Sequence, residues 1–262
     1  MSSLQSILQT LDSLVWGPPL LLLLVGTGVY LTIRLGLLQI IRLPLALRLV
    51  FGRDQGQGKV GDVSSFGALC TALSATIGTG NIVGVATAIK LGGPGALFWM
   101  WMAALFGMAT KYAECLLAVK YRVQDANGQM AGGPMHYLER GLGSPTLAKL
   151  FALFGVGVAF FGIGTFPQVN AISDAMTISF AVPREVTAVV LTLLVALVTL
   201  GGLSSIASVS TKVVPFMALF YIVSCLVVLG ANLADLPAAL GLVISSAFSG
   251  TAATGGFVGA GI

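Results

Sequence analysis

Long apolar runs, separated by short segments rich in glycine and proline, dominate the whole chain. A run of about 20 apolar residues forms a helix long enough to cross the hydrocarbon core of a bilayer. The pattern therefore predicts six membrane-spanning helices and the beginning of a seventh. The predicted spans are Gly17–Arg34, Ser65–Ile89, Ala96–Val119, Leu147–Pro167, Thr187–Gly201 and Val213–Gly230, and the seventh starts after Leu240.

The composition agrees with these spans and excludes an ordinary soluble domain. Of the 262 residues, 56% are hydrophobic and 8% are charged, and the mean hydropathy is +0.99. We expect an all-α, multi-pass protein of the cell inner membrane, which is the prokaryotic plasma membrane. The three cysteines lie in apolar runs without paired spacing, so we expect no disulfide. The first residues, Met1–Ser13, predict a short surface helix and not a cleaved signal.

The basic residues predict the orientation of the spans. If the segment from Arg34 to Lys59 faces the cytoplasm, eleven of the thirteen lysines and arginines lie inside, and only Lys90 and Arg184 lie outside. Cytoplasmic loops carry the excess of lysine and arginine, so the first span should run from outside to inside. The net charge of +4 is then explained by topology and by contact with anionic headgroups, and it predicts no nucleic-acid partner.

One predicted span is interrupted by small polar residues. The segment Ser74–Asn81 reads Ser-Ala-Thr-Ile-Gly-Thr-Gly-Asn inside an apolar run. An unbroken helix from Ser64 to Lys90 would be about 40 Å long, against a hydrocarbon core of about 30 Å. Gly78 and Gly80 each weaken a helix by about 1 kcal/mol relative to alanine. Unwinding there would free carbonyl oxygens that suit a hard cation such as Na⁺, and the N-terminus of the next half-helix would suit a carboxylate.

The same small residues also fit a packing role. Small residues four apart let a neighbouring helix approach closely, and Gly80 and Gly84 have that spacing. Packing and ligand binding are compatible on one helix, so both interpretations stay open. A dinucleotide-binding loop is disfavoured, because Val83 stands where the third glycine is needed and no strand precedes the motif.

The remaining polar residues indicate no catalytic chemistry. Lys111 and Glu114 are three residues apart near the cytoplasmic end of a span, where they can pair and act as a gate or an anchor. His136 lies in a cytoplasmic connection without metal-binding neighbours, and Asp174 is expected to be solvated on the outer side. The sequence has no nucleophile with a base, no metal cluster and no phosphate loop. We therefore predict no enzyme and no covalent cofactor.

A long motif resembles a known family. The run Gly92–Gly107 reads Gly-Gly-Pro-Gly-Ala-Leu-Phe-Trp-Met-Trp-Met-Ala-Ala-Leu-Phe-Gly and resembles the signature of the sodium:alanine symporters, also called the alanine or glycine:cation symporter family. The resemblance covers the whole chain and corresponds to about the N-terminal three-fifths of a full member, so we expect a truncated sequence. Further similar runs are Ala72–Ile82, Lys111–Glu114, Gly132–Met135 and Gly250–Phe257.

The resemblance implies a leucine-transporter-like core of two inverted five-helix repeats, preceded by one extra N-terminal helix. Residues 1–62 would then comprise the surface helix, a peripheral transmembrane helix and a cytoplasmic connection. Residues 63–239 would form the first repeat, with core helices one to five, and residues 240–262 would begin an incomplete second repeat.

The resemblance also implies a candidate site. The first core helix of the related neurotransmitter:sodium symporters has the pattern Gly-Asn-Ala-Val-Gly-Leu-Gly-Asn, which aligns with Ser74–Asn81. By this alignment the carbonyls of Ser74 and Ile77 bind the coupling ion Na⁺, and Asn81 serves an ion position as well as the substrate. The substrate-facing residues implied are Thr76, Thr79, Gly80 and Asn81.

Two residues outside this segment are further candidates for the substrate. Gln168 follows Pro167 at the outer part of the third core helix, where its amide either binds an amino-acid headgroup or is solvated at a helix end. Phe257 lies in a small polar run and either closes over a small aliphatic side chain or packs in the interior.

These observations predict a secondary active transporter that imports alanine or glycine with the Na⁺ gradient by alternating access. A channel and a non-transporting amino-acid sensor remain as alternatives, because both would share the apolar spans and the small residues. The expected partners are the small amino acid, Na⁺ and the lipid bilayer. The oligomeric state stays open, and a monomer is compatible with the sequence.

Overall fold

Helices form most of the chain in the computed structural model, which describes residues 18–52, 63–126, 128–161 and 165–250 together with Ser6, Ala252 and Gly255. The apolar runs found in the sequence thus become helices, as predicted. The helices are α1 (Pro18–Arg34), α2 (Leu38–Ile41), α3 (Leu43–Phe51), α4 (Ser65–Thr76), α5 (Gly80–Gly92), α6 (Ala96–Lys120), α7 (Pro134–Arg140), α8 (Pro145–Phe161), α9 (Thr165–Phe180), α10 (Arg184–Thr199), α11 (Gly202–Ala231) and α12 (Leu236–Ser246).

The lengths of the helices support part of the predicted topology. In the described part of the chain, α6 and α11 are each long and apolar enough to cross a membrane. Helices α4 and α5 pass the same test together, as one span that bends by 43° at a short break. The apolar parts of α1, α8 and α12 are shorter. Three spans therefore have the length and composition of membrane helices, and the other predicted spans stay predictions.

The predicted span Leu147–Pro167 is wrong at its end. Helix α8 ends at Phe161, and α9 begins at Thr165 and continues to Phe180. Proline is tolerated in the first turn of a helix, because the first N–H groups have no partner inside the helix. Pro167 looked like the end of a span because polar residues follow it, yet those residues form a further helix.

A short hairpin interrupts the chain, which is otherwise helical as the all-α prediction expects. Strand β1 (Val123–Gln124) pairs antiparallel with β2 (Met130–Ala131). In the turn, Gly128 has a φ of +81°, and the Asp125 carboxylate accepts a hydrogen bond of 2.8 Å from the Gln129 N–H. An Asn-Gly pair between two strands is a strong hairpin signal. The sequence has that pair at positions 127 and 128, so the hairpin could have been predicted.

The chain divides into two compact units, of which the first comprises residues 1–44, 84–120 and 238–262. In this unit α1 packs on α6 with very close backbone contact. A β-carbon on Gly28 would lie 2.8 Å from the Phe106 carbonyl oxygen, so only glycine permits this approach. At the end of α1 the buried Thr32 hydroxyl accepts a hydrogen bond of 3.1 Å from Gln39 Nε2. This bond ties α2 to α1.

In the same unit, the signature motif packs against the turn that follows α12. A β-carbon on Gly95 would overlap backbone atoms of Ser246 and Ala247. The indole N–H of Trp99 donates a hydrogen bond to the Ala247 carbonyl. The ring of Phe248 lies edge-on to Trp99, with centroids 6.4 Å apart. The motif therefore serves close packing, with one indole hydrogen bond fixing the partner backbone.

The second unit comprises residues 45–83 and 121–237. Here α11 packs along α4, α8 packs on α7, and α10 contacts both α9 and α11. An ion pair of 2.7 Å between Arg184 and Asp174 joins α10 to α9, and Asn170 also donates to Asp174. The Asp174 side chain is 38% exposed, so water reaches it as expected, and a cation and an amide share its oxygens with water.

The predicted pairing of Lys111 with Glu114 is present on α6. The ammonium of Lys111 donates to Glu114 Oε2 at 3.0 Å, and both side chains are exposed. An exposed pair of this kind contributes about 0.3–0.5 kcal/mol to a helix. The pair is too weak to be a major structural support, and its role as a gate or an anchor stays a prediction.

Replacing Gly95 by alanine should destabilise the protein by about 1–3 kcal/mol, because the added methyl group overlaps backbone that cannot rotate away. Thermal melting of the full-length protein in detergent measures this loss. Gly107→Ala is the matched control, since Gly107 lies on α6, which begins directly after Gly95, and a β-carbon on Gly107 meets no atom within 4 Å. Equal melting temperatures for Gly95→Ala and Gly107→Ala would contradict the packing role.

Candidate functional site

The predicted interruption of the second span lies where the sequence placed it. Helix α4 ends at Thr76 and α5 begins at Gly80. Between them Ile77 has extended backbone angles, with φ −88° and ψ +110°. The segment that the sequence singled out, Ser74–Asn81, therefore spans the last turn of one helix, the break and the first turn of the next.

The break leaves a row of carbonyl oxygens without backbone partners. The Ile77 N–H donates to the Leu73 carbonyl at 2.7 Å, which is the last helical bond of α4. Within the described residues, no backbone N–H donates to the next four carbonyls. They lie at the C-terminus of α4, where the helix dipole adds partial negative charge. Free carbonyls at this end attract a cation. These carbonyls belong to Ser74, Ala75, Thr76 and Ile77.

Asn81 holds the break in its shape. The Gly78 N–H donates to Asn81 Oδ1 at 2.9 Å, and the Asn81 N–H donates back to the Gly78 carbonyl at 3.2 Å. The reciprocal pair resembles a cap at a helix N-terminus, because a side chain satisfies an N–H that the helix does not. Asn81 Oδ1 therefore has a structural partner. A ligand role assigned to it has to use its remaining acceptor capacity or its amide N–H groups.

The hydroxyl groups near the break give their protons to their own helix. Thr76 Oγ1 donates to the Ala72 carbonyl at 2.8 Å, and Ser74 Oγ donates to the Thr71 carbonyl at 2.7 Å. A hydroxyl oxygen that has donated its proton keeps lone pairs as an acceptor. Both oxygens thus add acceptors to those of the freed carbonyls.

Gln168 comes from α9 to the break, as its candidate role requires. A β-carbon on Gly78 would lie 3.1 Å from Gln168 Nε2 and 3.2 Å from both Cδ and Oε1. Since all three atoms are almost equally distant, the amide lies flat over the glycine. The structure therefore brings together Gln168 and the Ser74–Asn81 segment. Phe257, the remaining candidate, lies outside the described residues.

Ser210 on α11 also reaches the break, although it is not among the residues that the sequence predicted. Its hydroxyl donates to Ser74 Oγ at 3.3 Å, and the residue is only 7% exposed. The small or buried residues Ala207, Ser210 and Val214 form one face of α11. This spacing was visible in the sequence as an i, i+3, i+7 pattern, but the sequence does not tell which helix that face meets.

The composition of the site restricts the ion that it can bind. The described residues contain no group of three or more His, Cys, Asp or Glu side chains that could hold a metal. The oxygens around the break are carbonyls, hydroxyls and an amide, which carry no formal charge. Divalent ions are usually held by carboxylates, so neutral oxygens favour a monovalent hard cation.

Comparison with known proteins identifies the relatives of the chain. The model of the sodium:alanine symporter family matches residues 1–262. The chain belongs to the sodium:alanine symporter family. It is therefore a membrane protein from a family of symporters and not of enzymes, as the sequence predicted.

Several curated relatives of this symporter chain cover nearly all of it. An uncharacterized transporter of Haemophilus influenzae is 65% identical over 257 residues, which are 98% of this chain and 56% of the relative. The sodium/alanine symporter AgcS of Methanococcus maripaludis is 52% identical over 261 residues, or 98% and 57%. The probable sodium/glutamine symporter GlnT of Bacillus subtilis is 35% identical over 260 residues, or 98% and 53%. The chain thus spans somewhat more than half the length of these relatives.

Replacing Asn81 by alanine should loosen the break, because the Gly78 N–H then loses its acceptor. Hydrogen–deuterium exchange of a peptide that covers residues 77–79 should become roughly fivefold faster. The matched variant Asn81→Asp keeps an oxygen in place and should exchange like the wild type. Identical exchange in Asn81→Ala and the wild type would show that this bond does not hold the break.

Proposed function

We propose that the full-length protein is a sodium-coupled importer of a small amino acid. The observation that carries this proposal is the interrupted helix, whose four successive carbonyls accept no backbone hydrogen bond within the described residues. In a bilayer such a break persists only where protein, water or a ligand receives the freed groups. The names of the relatives AgcS and GlnT, a sodium/alanine symporter and a probable sodium/glutamine symporter, support sodium as the coupling ion.

The ion position of this proposal is the C-terminal end of α4. The carbonyls of Ser74 and Ile77 bind Na⁺, and Asn81 completes the position from the first turn of α5. Two features support this assignment: the carbonyls accept no backbone bond, and the partial negative charge of the α4 terminus faces the break. A monovalent ion also fits an oxygen set without carboxylates.

The substrate position lies on the other side of the break, at the N-terminus of α5. This terminus carries partial positive charge and suits the substrate carboxylate, close to Thr79 and Gly80. The Gln168 amide offers both a donor and an acceptor to the amino-acid headgroup. Thr76 contributes an oxygen from the α4 side. Phe257 is proposed to close over the side chain of the substrate.

Alanine is the proposed substrate, with glycine as the closest competitor. The relative that is 52% identical over 261 aligned residues is named for sodium and alanine, whereas the relative named for sodium and glutamine is 35% identical over 260. A small side chain also agrees with the flat contact between Gln168 and Gly78, which places the amide directly against the broken backbone.

The architecture of this proposal is a leucine-transporter-like core that works by alternating access. Residues 63–239 supply the first repeat and residues 240–262 begin the second, with α1 as the peripheral helix. The break between α4 and α5 is the expected position of a binding site in a broken transporter helix. The cell inner membrane is the proposed location. Lys111 and Glu114 are proposed to act as a cytoplasmic gate or anchor.

An imposed inward Na⁺ gradient should drive uphill uptake of alanine into proteoliposomes that contain the full-length protein. Carrier coupling predicts accumulation above the external concentration, and uptake should vanish when choline replaces Na⁺ outside. Currents far above carrier turnover without accumulation would indicate a channel instead. Binding of alanine without uptake would indicate a sensor. Either result would overturn the proposal.

Replacing Gln168 by alanine should raise the KM for alanine by about tenfold, because the headgroup loses its hydrogen bonds to the amide. Uptake at saturating Na⁺ measures this change. The matched control is Asn170→Ala, which removes an amide two residues along the same helix that bonds to Asp174. A KM that changes equally in both variants would exclude a specific contact between Gln168 and the substrate.

A further inference from the structure

The C-terminal end of α4, where the cation is proposed to bind, has a neighbour on α11 that the proposed function does not use. Ser210 is 7% exposed, and its hydroxyl lies 3.3 Å from Ser74 Oγ. A buried hydroxyl needs a partner, and this one finds it in the last full turn of α4. The hydrogen bond thus connects α11 to the site through a side chain that lies beside the freed carbonyls.

The packing of α11 on α4 fixes where the Ser210 side chain points. Ala207 and Val214 lie one turn before and one turn after Ser210, and both are buried, with exposures of 6% and 3%. Farther along α4, the Thr211 methyl group would lie 3.7 Å from a β-carbon on Gly67. Ser210 is therefore the polar residue in a closely packed apolar face, and its hydroxyl is held against Ser74.

The hydrogen-bond directions leave oxygen lone pairs between the two helices. Ser210 gives its proton to Ser74, Ser74 gives its proton to the Thr71 carbonyl, and Thr71 gives its proton to the Gly67 carbonyl. The protons of Ser74 and Thr71 point back along α4, away from the break, and the proton of Ser210 points from α11 to Ser74. The two serine oxygens keep acceptor capacity that a cation can use.

The spacing of the two serine oxygens matches that of neighbouring cation ligands. Oxygen ligands lie about 2.3–2.6 Å from Ca²⁺, and Na⁺ has nearly the same radius. Two such ligands at a right angle are about 3.3–3.7 Å apart by simple geometry. The observed distance of 3.3 Å between Ser210 Oγ and Ser74 Oγ lies at the edge of this range.

Helix α11 also has a backbone oxygen next to Ser210 that lacks its helical donor. Pro215 lies inside the helix and has no N–H, so the carbonyl of Thr211, four residues earlier, loses its helical partner. The residue after Ser210 in the chain thus carries a carbonyl without its usual hydrogen bond.

We propose that the hydroxyl oxygens of Ser210 and Ser74 bind the coupling cation together with the carbonyls freed at the break. This inference rests on the proposed function and adds a ligand from a third helix to its ion position. When the cation binds, the Ser210 proton turns from Ser74 to the carbonyl of Ile206, four residues back, as serines in helices commonly do. The proton stays on the hydroxyl, and no net charge is added.

The Na⁺ dependence of alanine uptake by the full-length protein tests this ligand. Ser210→Ala should raise the Na⁺ concentration for half-maximal uptake by about tenfold, while the KM for alanine at saturating Na⁺ changes less than about twofold. Ser210→Thr keeps the hydroxyl and should stay near the wild type. Ser208→Ala is the matched control, because Ser208 is exposed on the same helix.

A near-isosteric variant separates ligation from packing. Ser210→Cys keeps the volume but replaces a hard oxygen by a soft sulfur, so it should also raise the half-maximal Na⁺ concentration and change the ratio of Na⁺ to Li⁺ affinity. Unchanged Na⁺ dependence in Ser210→Cys and Ser210→Ala would overturn the inference. Absence of Na⁺-dependent uptake in the wild type would instead overturn the proposed function itself.

Discussion

Every backbone N–H and C=O that lies within a membrane must find a partner, because an unpaired group costs several kcal/mol there. This constraint governs the segment between α4 and α5. The Gly78 N–H is bonded to the Asn81 side chain, and the N–H groups of Asn81, Ile82 and Val83 are bonded to the Gly78 and Thr79 carbonyls. No backbone N–H of the described residues donates to the carbonyls at the end of α4. The described backbone thus leaves both the carbonyls at the end of α4 and the N–H groups of Thr79 and Gly80 to partners other than backbone.

The groups left free at the break determine which ligands it can bind. Free carbonyls attract cations and free N–H groups attract anions, so the α4 side and the α5 side of the break suit opposite charges. Here Asn81 removes a donor from the break without covering the acceptors, and the hydroxyls of Ser74 and Thr76 turn their protons back into α4. The result on the α4 side of the break is a group of acceptor oxygens next to the negative end of a helix dipole. A small cation is the simplest species that satisfies all of them at once.

The sequence predicted the existence and position of the break because two glycines and several small polar residues inside an apolar run weaken the helix at that point. It also predicted the Lys111–Glu114 pair, since residues three apart on a helix are neighbours. It failed where the outcome depends on contacts between distant elements. The polar residues after Pro167 suggested the end of a span, although they form α9, which delivers Gln168 to Gly78. The spacing of Ser210 with its buried neighbours does not tell which helix that face meets, and only the packing of α11 on α4 gives Ser210 a partner.

The family signature and the candidate site lie in different places, and physical chemistry accounts for the separation. Within the Gly92–Gly107 run, Gly95 and Trp99 contact partner backbone closely: a methyl group on Gly95 overlaps Ser246, and Trp99 bonds to the Ala247 carbonyl. Such contacts depend on residue identity much more strictly than ligand binding by carbonyl oxygens does, because any residue supplies a carbonyl. A site made largely of backbone carbonyls restricts the residue types only weakly, so it is difficult to recognise in the sequence. The motif that identifies a transporter of this kind therefore consists of residues that pack closely. The candidate site is found instead from the backbone carbonyls that accept no hydrogen bond.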